Sequence, residues 1–248
     1  MKKEIVLGMV ALLVVVVAAG TGTVVVTWSR QVAKTQKQYT VVIDPGHGGV
    51  DPGKVGVHEE KEKDINLEIA LRLKELLEKE KYTVIMTRET DRGLYQETDS
   101  NKKLTDLQAR CTLINDSNVD VAVSIHQNSY PDGSVKGAQV FYQTSSEQGK
   151  ILADTLQDQI ITDIADGNKR TSKANDNYYM LLHTSVPMVI VECGFLSCPE
   201  EAVLLCDTAY QQKMAQAIAD GIGAYLIKNT TNSRLERSEK HEDKTATD

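Results

Sequence analysis

Two histidines and a short set of acids carry the chemistry available to this sequence. His47 stands in Asp44-Pro45-Gly46-His47-Gly48-Gly49, and His126 in Ser124-Ile125-His126-Gln127-Asn128. Glu192 follows the apolar run Pro187-Met188-Val189-Ile190-Val191 and precedes Cys193-Gly194. A fourth group lies just ahead of the first long helical pattern, where Glu62 competes with His58, Glu59 and Glu60. Two imidazoles and one carboxylate form a donor set used by catalytic zinc, with a fourth position kept for water. A further carboxylate beside such a site can act as general base. Glu192 suits that role, because a carboxylate directly after an apolar run sits near a core, and burying it without a partner is costly.

Each residue also has a structural alternative. The glycines around His47 let backbone approach a ligand closely, yet they serve a tight turn equally well. No Gly-Lys-Ser/Thr follows them, which removes the P-loop reading. Glu62 could simply be an acid favoured by a helix N-terminus. His126 could be a satisfied histidine at a strand end. Spacing alone does not separate Glu62 from its neighbours.

The elements that must position these groups alternate. Residues 39–43 read as a β-branched strand closed by Asp44-Pro45-Gly46. Residues 64–80 read as a helix with Asp64 as N-cap and Ile65, Ile69, Leu73, Leu76 and Leu77 on one face. Strands are expected at 83–87, 119–125, 138–142 and 188–191. Helices are expected at 104–115, opened by a Thr105–Gln108 capping box, and at 147–164 and 209–227. Such alternation predicts an α/β fold, a three-layer sandwich with a mostly parallel central sheet flanked by helices. His47, His126 and Glu192 then all fall at carboxyl ends of strands, where ligands bind in such sheets.

The chain has 248 residues, 41% of them apolar and 25% charged, enough for one self-sufficient core. A net charge of -7 opposes nucleic-acid binding, which needs a basic face. Residues 5–28 hold no charged side chain and follow Lys2 and Lys3. They read as an N-terminal membrane anchor, or as a signal peptide cut near Ala18-Ala19-Gly20. Either reading puts the following domain outside the cytoplasm. Residues 29–38 read as a polar linker and 228–248 as a disordered polar tail. The four cysteines, Cys111, Cys193, Cys198 and Cys206, form no C-x-x-C pair, so a cysteine zinc site is not expected. Cys198 and Cys206 are close enough in sequence to be candidates for a disulfide.

With these residues in view, the chain resembles the zinc-dependent N-acetylmuramoyl-L-alanine amidases of the Amidase_3 type. The resemblance spans residues 39–227. It rests on Val42-Ile43-Asp44-Pro45-Gly46-His47-Gly48-Gly49, Glu62-Lys63-Asp64-Ile65-Asn66-Leu67, Thr87-Arg88, residues 107–110, residues 124–128, and Val191-Glu192-Cys193-Gly194-Phe195-Leu196-Ser197. It implies one Zn2+ held by His47, Glu62 and His126, which selects Glu62 among the acids, with Glu192 as catalytic acid. It also implies that the bond cut is the amide between the lactyl group of N-acetylmuramic acid and L-alanine of the stem peptide. Peptidoglycan is thus the expected partner, with an accessory protein left open. Asn128 and Arg88 are secondary candidates for substrate contact or ligand orientation; Arg88 reads equally well as a structural ion pair. Cys198 departs from the family's usual Asn, and His183 stands for its usual basic residue. Within the family the chain looks most like the germination-specific CwlD subgroup of spore formers. A deacetylase or carboxypeptidase on the same polymer, or an inactive scaffold of the same fold, are the alternatives.

Overall fold

The structure is a computed structural model that describes residues 11–16, 25–30 and 38–245. It divides into two units, Met1–Lys37 and Gln38–Asp248.

In the first unit, β1 (Ala11–Val16) and β2 (Val25–Arg30) pair antiparallel, with Ala11 opposite Arg30 and Val16 opposite Val25. This corrects the expectation of one membrane-spanning helix through residues 5–28. Both strands are dense in β-branched valine, which loses side-chain freedom in a helix and fits a pleated surface. No helix among the described residues is long and apolar enough to cross a membrane. The expected cleavage site at Ala18-Ala19-Gly20 lies outside the described residues.

The second unit is built on a six-stranded sheet. Its strands are β3 (Thr40–Pro45), β4 (Thr83–Met86), β5 (Val121–Asn128), β6 (Gln139–Tyr142), β7 (Lys173–Ala174) and β8 (Met188–Phe195). They lie in the order β4-β3-β5-β8-β6-β7. The first four run parallel, and β6 is antiparallel to β8. The helices are α1 (Glu62–Lys79), α2 (Lys102–Asp116), α3 (Glu147–Ile164), α4 (Tyr179–His183), α5 (Pro199–Cys206) and α6 (Thr208–Thr245).

Side-chain alternation along the strands makes the layers. Val41, Ile43, Val121, Val123, Ile125, Val189 and Val191 belong to one buried cluster, with Ile69 and Leu73 of α1, Leu152 and Leu156 of α3, and Met214 and Ile218 of α6. The intervening Val42, Ala122, Met188 and Ile190 belong to a second cluster, with Cys111 and Ile114 of α2 and Met180 and Leu181 of α4. This is the three-layer arrangement expected from the alternation.

Some boundaries differ from expectation. α1 begins at Glu62, its N-cap is Lys61, and Asp64 lies inside the first turn. α2 is capped by Asn101, whose side chain accepts from Leu104 N, rather than by Thr105. α6 runs on through 228–245, where a disordered tail was expected. That stretch holds no Gly or Pro and is rich in Arg, Glu and Lys, which favour helix. All four cysteines are free thiols, so the Cys198–Cys206 pairing is not formed.

Candidate metal centre

Strand register brings the candidates together. β3 and β5 pair with Asp44 opposite Ser124, so the loop after β3 meets the end of β5. β5 and β8 pair with His126 opposite Glu192. His126 and Glu192 lie within their strands, not beyond them. α1 packs against both β3 and β5, and this presents its first residue, Glu62, to the same point.

There His47, Glu62 and His126 converge, with one ligand atom from each within 4.8 Å of the others. His47 Nε2 is 3.2 Å from Glu62 Oε2, and His126 Nδ1 is 2.9 Å from Glu62 Oε1. Glu62 is only 2% exposed. Its Oε2 also accepts from Lys54 N at 2.7 Å, and its Oε1 from Gln127 N at 3.1 Å. Burial would push this carboxyl up, but the two imidazoles outweigh burial and hold it well below the usual carboxylate range. Burial likewise opposes a charged His47, yet Asp51 and Glu62 raise it to about 9. Metal-free, the cluster therefore keeps a proton where two imidazoles and a carboxylate crowd together. A divalent cation suits that place better, since all three groups can face it with lone pairs. His58, Glu59 and Glu60 are not part of the cluster.

The loop bearing His47 is held by Arg88, a secondary candidate from the sequence, and by Arg110, to which the sequence reading gave no role. His47 adopts φ 63°, a left-handed conformation uncommon for a residue with a side chain. Arg110 Nη2 donates to its carbonyl at 2.6 Å, and Arg110 Nη1 to Pro45 O at 2.8 Å. Arg88 donates from Nε to Pro45 O and from Nη2 to Gly46 O and Lys63 O. Arg88 is thus a buried clamp that holds the loop through backbone carbonyls. Arg110 is itself fixed by Asp44 at 2.7 Å and Asp106 at 2.6 Å. Asp44 also accepts from Thr87 Oγ1 at 2.6 Å and Ser124 Oγ at 2.5 Å. Burial raises Asp44, but Arg110 and the two hydroxyls prevail and bring it to about 2.

Gly46 is needed for space: a Cβ there would collide with the His126 ring. Asp51 was also missed, although its i+4 spacing from His47 in a glycine-rich loop was a signal. Its Oδ2 lies 2.9 Å from His47 Nδ1.

Glu192 lies beside the three converging residues and is 6% exposed. Burial, with Glu62 adding, raises its carboxyl to about 7, against the pull of His126, Tyr178 and His47. The Tyr178 hydroxyl donates to Glu192 Oε1 at 3.1 Å. Asn128 turns its Oδ1 to Ser129 N at 2.8 Å. His183 stacks on Tyr179 with ring centroids 3.9 Å apart and is exposed. A recess of about 40 Å³ opens over His47 and His126, lined also by Lys103, Leu107 and Met180. A second of about 250 Å³, lined by Tyr95, Lys102 and Lys103, shares Asp51 and Asp106 with it.

Comparison with known proteins places these residues in context. Residues 41–224 match the protein family described as N-acetylmuramoyl-L-alanine amidase, Amidase_3. The germination-specific N-acetylmuramoyl-L-alanine amidase of Bacillus subtilis (strain 168) is 38% identical over 189 residues, covering 75% of this chain and 79% of that protein. The probable cell wall amidase LytH of Staphylococcus saprophyticus is 33% identical over 198 residues, covering 78% of this chain and 60% of that protein. Among solved structures, the CwlD amidase of Clostridioides difficile in complex with the GerS lipoprotein superposes with a TM-score of 0.74 at 40% identity, covering 76% of this chain and 98% of that one.

Proposed function

This chain belongs to the N-acetylmuramoyl-L-alanine amidase family, and from that membership we propose that it is a zinc hydrolase of peptidoglycan, with His47, Glu62 and His126 as metal ligands and Glu192 as general base and acid. The bond cut is the amide joining the lactyl group of N-acetylmuramic acid to L-alanine of the stem peptide. The carrying observation is the convergence of His47, Glu62 and His126 within 4.8 Å. Bound there, Zn2+ would supply Lewis acidity that lowers the pKa of water and polarises the amide carbonyl.

The chain's own residues do the rest. Asp51 fixes the ring of His47, and the Gln127 and Lys54 amides fix the carboxylate of Glu62. Arg88 and Arg110 hold the loop that carries His47. Glu192 takes a proton from the attacking water and delivers it to the departing amine of L-alanine. A carboxyl raised toward neutrality by burial suits both halves of that exchange.

Residues 39–227 form the catalytic domain in this reading, with 1–28 as an export segment, 29–38 as a linker and 228–248 as an appended polar segment. The cell-wall and germination names of the relatives support action outside the cytoplasm, on spore-cortex peptidoglycan. The CwlD neighbour's complex with a lipoprotein supports an accessory protein for this chain too.

Mass spectrometry of peptidoglycan digested by the purified protein, with and without added zinc, tests the reading. Free stem peptides with an L-alanine amino terminus are expected only with metal. Deacetylated sugars or shortened peptides would instead identify a deacetylase or carboxypeptidase, and no products would leave an inactive scaffold.

A further inference from the structure

The two oxygens of Glu192 have different surroundings. Oε1 accepts from the Tyr178 hydroxyl at 3.1 Å. Oε2 is buried and has no hydrogen-bond partner among the described residues. A buried carboxylate oxygen left without a partner is costly, and such exceptions in native folds ask for a functional reason.

We infer that Tyr178 is a positioning residue for amide hydrolysis, pinning Oε1 of Glu192 so that Oε2 alone takes and returns the proton. This rests on the reading of Glu192 as general base.

Tyr178 is placed for that task. It is the residue that leads into α4, and its carbonyl accepts from Leu182 N at 3.2 Å. Its ring meets Phe141 of β6 edge-on, with centroids 5.5 Å apart and planes at 77°. The backbone is thus held by α4 and the ring by Phe141 of the second cluster, and the hydroxyl is presented to Glu192. Burial and the adjacent Glu192 charge push the phenol above its ordinary value, so it stays a donor.

The proton balance follows from that geometry. In the first step a water O–H bond breaks, an O–H bond forms at Glu192 Oε2, and the water oxygen bonds to the amide carbon as the carbonyl π pair moves onto the carbonyl oxygen, the pair that re-forms the carbonyl when the C–N bond breaks. A proton on Oε1 would face the Tyr178 donor, so Oε2 is the favoured acceptor. In the second step the C–N bond breaks and the Oε2 proton passes to the leaving nitrogen. Glu192 ends ionised, with Oε1 still bonded to Tyr178, and one water has been consumed.

The test compares zinc-loaded full-length wild type with Tyr178→Phe, reading initial rates of stem-peptide release, zinc content and melting temperature. Loss of a hydrogen bond to a charged group should lower kcat by about 10- to 100-fold. KM and zinc content should stay within about twofold, the split expected when an interaction acts on the transition state alone. Wild-type kcat in the variant overturns the proposal. So does a loss confined to KM, or one accompanied by lost zinc or a lost fold, which would make Tyr178 merely structural. A wild type that releases no stem peptide would instead defeat the amidase reading on which the role rests.

Discussion

Asp51 Oδ2 lies 2.9 Å from Nδ1 of His47, and the opposite ring nitrogen, Nε2, faces Glu62 at 3.2 Å. One carboxylate therefore holds Nδ1 and the other fixes the direction in which Nε2 points. Histidines that bind metals commonly hand their second nitrogen to such a partner, which orients the ring and raises its basicity.

Asp51→Ala should accordingly weaken zinc binding by about 10- to 100-fold while the protein stays folded. Competition against a chromophoric chelator measures this. Unchanged affinity would show that the loop backbone alone orients His47.

Glu192→Ala should retain zinc and lose about 100- to 10,000-fold in hydrolysis, the usual worth of a positioned acid-base group. His47→Ala and His126→Ala should lose both metal and turnover. Metal analysis of each purified variant, beside its rate, separates the two outcomes. Full activity in Glu192→Ala would remove this residue from the chemistry.

Asp44 gives a pH dependence whose sign is fixed. Its carboxyl falls from 3.8 to about 2 in the folded protein. A depressed value means that the stabilisation is complete above about pH 4 and is lost as pH falls through about pH 2. The shift corresponds to about 2 kcal/mol. The difference in unfolding free energy between wild type and Asp44→Asn should narrow by about that much from pH 5 to pH 2. Urea titrations at a series of pH values would show it. A constant difference would mean that Arg110 does not stabilise the ionised form.

The fold was largely legible because strand alternation and helix periodicity are local signals. The two histidines were legible because the carboxyl ends of strands are where such sheets bind ligands, although His126 lies inside β5 and not in a loop after it. Glu62 was not separable from Glu59 and Glu60 by spacing, since its selection depends on α1 packing against β3 and β5. Asp51 and Tyr178 were missed for the same kind of reason: each acts through one contact, and Tyr178 reaches Glu192 from a different strand-helix connection. The N-terminal segment misled in the other direction. Apolar composition reads as a membrane helix, but composition does not distinguish that from a valine-rich strand pair.

Gly46 supplies the most stringent test of the centre. It is not among the glycines with positive φ, so its backbone would accept another residue. Space is what forbids one, because a Cβ would collide with the His126 imidazole. The loop cannot retreat easily. Gly46 N donates to Ile125 O at 3.0 Å, and Gly46 O accepts from Arg88 and Asn66. The ring must therefore move, and moving it takes Nδ1 away from Glu62. Gly46→Ala should cost about 1–3 kcal/mol in stability, as overpacking of a tight interior does. It should also strip the zinc, although no ligand has been changed. Metal content and thermal unfolding of the variant check both expectations, and full zinc occupancy with unchanged stability would show that the ring and the loop are not in forced contact.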